Sequence, residues 1–167
     1  METKRLKDNN QQQLWLVPVD FSPHSEHALL QACLLIKNLS AKILVLHVVH
    51  DPSEMPNYYS NYQADEKDNQ SLMPIENRAQ KIFESFISEM IKKNPTVKAL
   101  KQLETKLVIG LPVSRIIEVA EKINASMIVM GSQGRTGLKR VMLGSKAEQV
   151  LRLCPMPITI VKMQLTE

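Results

Sequence analysis

Apolar residues in this chain fall into two alternating rhythms. Short apolar runs recur at Leu14–Val19, Ile43–Val49, Met127–Met130 and Ile158–Val161, and Thr105–Ile109, with Lys106 inside it, reads as a further strand. Runs of that length, apolar at nearly every position, fit strands buried on both faces, as in a parallel sheet. Between them lie stripes at helical spacing. The first is Ala28, Leu29, Ala32, Cys33, Ile36 and Leu39. The second is Ile75, Ala79, Ile82, Phe83, Phe86, Ile87, Met90 and Ile91. The third is Val113, Ile116, Ile117, Ala120 and Ile123, and Lys146 to Leu153 reads as a short fourth helix. Punctuation supports these bounds. Ser22 can cap the first helix with Pro23 at its first position. Pro95 closes the second helix, Pro112 opens the third, and Pro155 and Pro157 bracket the break before the last strand. The alternation predicts an α/β fold: a doubly wound, mainly parallel five-stranded sheet with helices on both faces. The first strand, helix and strand make one right-handed βαβ unit. Pro18 cannot donate to a ladder, so it belongs near the end of its strand.

Residues 1–13 are polar and read as a flexible tail, leaving 14–167 as one domain. From His50 to Leu72 the pattern lapses. Tyr58, Tyr59 and Tyr62 in that stretch can cover a ligand or lie on the surface, the latter being commoner for loops. Aromatic residues make up only 4%, so the core must be aliphatic. The formal net charge of +4 is modest and argues against a dedicated nucleic-acid partner. The N-terminus has no apolar leader region, and no run is long enough to span a membrane, so a cytoplasmic protein with no membrane partner is expected. Cys33 and Cys154 form no metal spacing, and Cys33 sits on the first helical stripe as a core residue. No metal site and no catalytic residues are expected: no HExxH, no GxSxG and no base–nucleophile spacing occur.

The candidate chemistry lies after the fourth strand. Met130-Gly131-Ser132-Gln133-Gly134-Arg135 leads through nine residues from Gly134 to Gly144-Ser145 and a helix start. A strand, a glycine-rich loop and a helix N-terminus together form a phosphate site in outline. Glycines permit positive φ and close backbone approach, and helix N-termini attract anions. The spacing is neither GxGxxG nor a P-loop. It resembles the G-x2-G-x9-G-[ST] loop of the universal stress protein family, in its ATP-binding subgroup. The segment from Ala125 to Val161 resembles that family in residue type. So does Pro18-Val19-Asp20-Phe21-Ser22, which resembles the family's first strand, and His47-Val48-Val49, which resembles its adenine-side strand.

The resemblance implies strand order 3-2-1-4-5 and an ATP ligand, with or without Mg2+. It also implies a regulatory module with slow turnover at most, and a homodimer paired through the last strand. The implied binding residues are Pro18, Val19, Asp20, Val48, Met130, Gly131, Gly134, Arg135, Gly144, Ser145 and Lys146. Adenine would lie against Val48, ribose at Asp20, and phosphates on Gly131, Gly134, Gly144 and Ser145. On residue type alone Asp20 is as well suited to capping a turn. His47 reads as a satisfied core histidine, and Lys139 and Arg140 as exposed charges. Lys146 stands where the family commonly has a small or neutral residue. It can pair with a terminal phosphate or crowd the site. Ser126 replaces a frequent family Asp at the far end of the strand. An adenylating enzyme of a related fold would carry Ser-Gly-Gly-x-Asp-Ser after its first strand, where this chain has Asp20-Phe21-Ser22-Pro23. A non-binding dimer of the same family would have lost the loop glycines, which are kept here.

Overall fold

The computed structural model describes residues 12–50, 75–134 and 143–163. These contain five strands, β1 (Gln13–Val19), β2 (Ala41–Val49), β3 (Glu104–Ile109), β4 (Met127–Gly131) and β5 (Ile158–Val161). They also contain four α-helices, α1 (Pro23–Leu35), α2 (Ile75–Lys93), α3 (Pro112–Lys122) and α4 (Ser145–Leu153). The sheet order is β3-β2-β1-β4-β5 and every pairing is parallel, as expected.

Side chains alternate between two buried layers. Trp15, Val17, Val19, Ile43, Val45 and Val129 join α1 and α2 on one face. Leu16, Leu44, Leu46, Val48, Ile128 and Met130 join α3 and α4 on the other. Period-two alternation with both faces covered explains why the strands read as near-continuous apolar runs. Aliphatic side chains fill both layers, and Trp15, Phe21, Phe83 and Phe86 all lie in the first. Burial pushes the Cys33 thiol up from 9.0 to about 12, so this core residue stays protonated.

Some boundaries differ from the sequence reading. Gln13 belongs to β1, because its N–H donates to Ser40 O at 2.9 Å, a ladder contact that hydropathy does not signal. β2 starts at Ala41, β3 at Glu104, and β4 extends to Gly131. The first helix stops at Leu35, and Ile36–Asn38 tighten into a 3-10 turn. Leu39, expected on the buried stripe, is 51% exposed, since the chain has already turned towards β2. A 3-10 segment, Lys98–Gln102, was not foreshadowed by any periodicity; it buries Leu100 beneath α2. Among the described residues, no helix is long and apolar enough to cross a membrane.

The order of the strands opens a cleft. β1 and β2 stay paired up to Val19 and His47, whereas the β1–β4 ladder ends at Leu16 and Ile128. Beyond that point β1 and β4 lead into connections on opposite faces, the switch point where such sheets bind ligands. Pro18, two residues past the last β1–β4 pair, withholds an N–H where that ladder no longer needs one.

Candidate ligand cleft at the sheet switch point

The cleft is lined by the carboxyl ends of β1, β2 and β4 and by the amino ends of α3 and α4. Its apolar wall includes Leu46, Val48, Ile116, Met130 and Ala147. Its polar residues include Asp20, Gln133, Gly134, Ser145 and Lys146. Of the expected binding residues, Pro18, Val19, Asp20, Val48, Met130, Gly131, Gly134, Gly144, Ser145 and Lys146 all line this one cleft. Arg135 lies outside the described residues, as do Lys139, Arg140 and the three tyrosines of the 50–72 stretch.

Asp20 combines the two roles that residue type left open. Its Oδ1 accepts hydrogen bonds from Ser22 Oγ at 2.6 Å and Ser22 N at 3.1 Å. Ser22 in turn caps α1, accepting from Ser25 N at 3.2 Å. Its Oδ2 points across the cleft, 2.7 Å from where a Cβ on Gly134 would sit. One oxygen therefore organises the β1–α1 turn while the other faces the glycine loop. Phe21 adopts a left-handed φ of 62° in this turn, which is costly for an aromatic residue. Its ring stacks on His47 with centroids 4.1 Å apart, on the α1–α2 side of the sheet. His47 Nδ1 lies 2.8 Å from Val19 O, so this histidine is a satisfied core residue as the sequence suggested. Its hydrogen bond also fixes the end of β1 just before Asp20.

None of Gly131, Gly134 and Gly144 has a left-handed φ; among the described glycines only Gly110, in the β3–α3 turn, does. Closeness is what they provide. A Cβ on Gly131 would fall 2.8 Å from His24 O and 2.9 Å from His24 C. Its smallness therefore lets α1 rest on β4, a demand separate from any ligand. Gly134 is small because the Asp20 carboxylate sits against it. Gly144 donates its N–H to Ser132 O at 2.8 Å, closing the loop onto the end of β4. That N–H is thus engaged within the chain. The donors that helix geometry leaves at this point are the amides of the first turn of α4, which begins at Ser145.

Residues that the sequence did not mark as binding residues also line the cleft: Ser25, Leu46, His47, His50, Pro112, Ile116, Gln133 and Ala147. Leu46 was legible as a period-two neighbour of Val48. Pro112 and Ile116 come from α3, and only the tertiary fold brings them here. His50 fell at the start of an aperiodic stretch and carried no signal, yet it is buried.

A carboxylate, an apolar wall and a helix N-terminus meet in one switch-point cleft of an α/β fold. The match to the Universal stress protein family model runs over residues 15–162, and the chain belongs to that family. It is 32% identical over 152 residues to universal stress protein MJ0577 of Methanocaldococcus jannaschii, covering 88% of this chain and 93% of that protein. With universal stress protein MJ0531 of the same organism it shares 38% identity over 87 residues, which span 51% of that relative. The solved structure of MJ0577 superposes with a TM-score of 0.69 at 24% identity, covering 93% of this chain and 99% of that one. A universal stress protein from Archaeoglobus fulgidus, solved in complex with dAMP, superposes with a TM-score of 0.58 at 19% identity, over 90% of this chain and 98% of that one. A universal stress protein in complex with cAMP gives 0.58 at 22% identity, over 89% and 96%.

Proposed function

We propose that this chain is an adenine-nucleotide-binding regulatory module of the ATP-binding subgroup, with ATP as its ligand. One observation carries the reading: Asp20 Oδ2, the apolar Val48 wall and the α4 entrance converge on a single cleft. Each part suits one part of a nucleotide. Val48 offers an apolar face and a strand end to the base. Asp20 offers a carboxylate oxygen to ribose hydroxyls. The first-turn amides of α4, with Ser145 Oγ and the loop at Gly134, offer donors and a helix dipole to phosphate. The dAMP and cAMP complexes of two neighbours of this fold support the class of ligand. Among the described residues lining the cleft, Asp20 is the one acid. Any Mg2+ accompanying ATP would therefore be held largely by the phosphates and water. The reading is of a sensor with slow turnover at most.

Isothermal calorimetry with ATP, and with GTP as control, tests this directly. Saturable heat with ATP and weaker binding of GTP are expected; no heat and no thermal stabilisation by ATP would contradict the proposal.

We also propose a homodimer through β5. This strand ends the sheet next to β4 and carries Ile158 and Ile160. An apolar edge strand invites pairing, and a two-fold contact is the commonest symmetry. Light scattering should give twice the chain mass for the parent and a monomer for Ile160→Lys. A monomeric parent at micromolar concentration, or a dimer untouched by the substitution, would refute the interface.

A further inference from the structure

Lys146 occupies the second position of α4. Cα–Cβ bonds in a helix tilt towards its N-terminus. The long side chain therefore reaches forward past the helix entrance, over the place where helix amides receive an anion. Its Nζ stops 3.2 Å from Nε2 of His50. His50 follows the last residue of β2 and is only 8% exposed. An ammonium carries donors only, so the imidazole Nε2 accepts this bond and the ring holds its proton on Nδ1. A neutral histidine thus anchors a lysine across the cleft, from the carboxyl end of β2 to the amino end of α4. Both residues line the cleft, as do Val48, Met130 and Ala147.

We propose that His50 and Lys146 form a clamp that makes the cleft discriminate among adenine nucleotides by the number of their phosphates. The proposal rests on the nucleotide reading above. The helix entrance supplies roughly half a positive charge, enough to favour one phosphate. Lys146 adds a full charge just beyond it, where a longer phosphate chain extends. Lysine–phosphate contacts are charge-assisted and stronger than neutral hydrogen bonds. An unanchored surface lysine would lose rotamer freedom on binding, whereas one already held by His50 has less to lose. His50 is accordingly a positioning residue, and Lys146 the specificity-determining one.

The test is calorimetry with AMP, ADP and ATP on the full chain and on Lys146→Met, His50→Leu and His50→Gln. Affinity should rise from AMP to ATP in the parent. Lys146→Met should weaken ATP about tenfold or more and AMP far less, compressing the ATP-to-AMP ratio. His50→Leu should compress it in the same direction. His50→Gln, which keeps an acceptor near the place of Nε2, should restore the ratio. Lys146 lies at an exposed helix start, so its variant is expected to fold even if His50→Leu does not. Parent binding of ATP with an unaltered ratio in Lys146→Met would overturn the clamp alone. Tighter ATP binding by Lys146→Met would overturn it too, showing that the lysine crowds the site. No binding of any adenine nucleotide by the parent would overturn the clamp together with the nucleotide reading.

Discussion

Gly131→Val is expected to lower stability by about 3 kcal/mol or more, and the melting temperature by roughly 6–12 °C. The new Cβ would meet backbone atoms of His24, O at 2.8 Å and C at 2.9 Å, with His24 Cβ at 3.1 Å. A flexible side-chain end could swing away, but a helix backbone cannot. Moving α1 off β4 would also loosen Leu29, Ala32 and Cys33 from the core layer they share with Val129. Valine adds two methyl groups to that collision. Thermal unfolding followed by circular dichroism measures the effect. A melting temperature within about 2 °C of the parent would show that the α1–β4 contact yields easily. Gly131 is consequently a poor probe of ligand binding, despite its place in the loop motif.

Asp20 gives the cleaner probe, and Asp20→Asn should weaken ATP binding by about 1–3 kcal/mol, roughly 5- to 150-fold in Kd. The choice of asparagine follows from the two oxygens. An amide oxygen can still accept from Ser22 N and Oγ, as Oδ1 now does at 3.1 and 2.6 Å, so the turn and the α1 cap survive. The charge that faces Gly134 is lost. Asp20→Ala would remove both roles and should lower the melting temperature as well. Gly134→Ala should resemble the asparagine variant. Among the described residues its Cβ would clash with Asp20 Oδ2, at 2.7 Å, and the carboxylate would have to shift from its position in the cleft. Calorimetry paired with thermal melts separates the effects. Parent-like ATP affinity in Asp20→Asn would remove Asp20 from the ligand account.

These contrasts show what the sequence can carry. The fold was legible because both sheet faces are covered, so period-two burial merges into apolar runs that stand apart from the helical stripes. The strand order followed from resemblance and was matched by the pairing pattern. The cleft was legible where motif residues are close in sequence to strand ends, as with Asp20 and Val48. The purpose of Gly131 was hidden because it depends on where α1 begins relative to β4. A run of glycines looks alike whether it spares room for a phosphate, a helix or a carboxylate. The pairing of Lys146 with His50 joins residues 96 positions apart. No local pattern marks such a pair; only the meeting of the β2 and α4 ends produces it. Leu39 failed for a different reason: helical periodicity continues past the residue where the chain must turn to pair Ser40 with Gln13.

The central claim is that an adenine nucleotide occupies the switch-point cleft. Nitrogen-15 chemical-shift mapping during titration with ATP tests occupancy and location together. The account predicts saturable shifts of the amides of Val48, Asp20, Gly134, Ser145 and Ala147, with the α1–α2 face around Leu100 and Met90 unmoved. Spectra unchanged at millimolar ATP, or shifts confined to that opposite face, would contradict it.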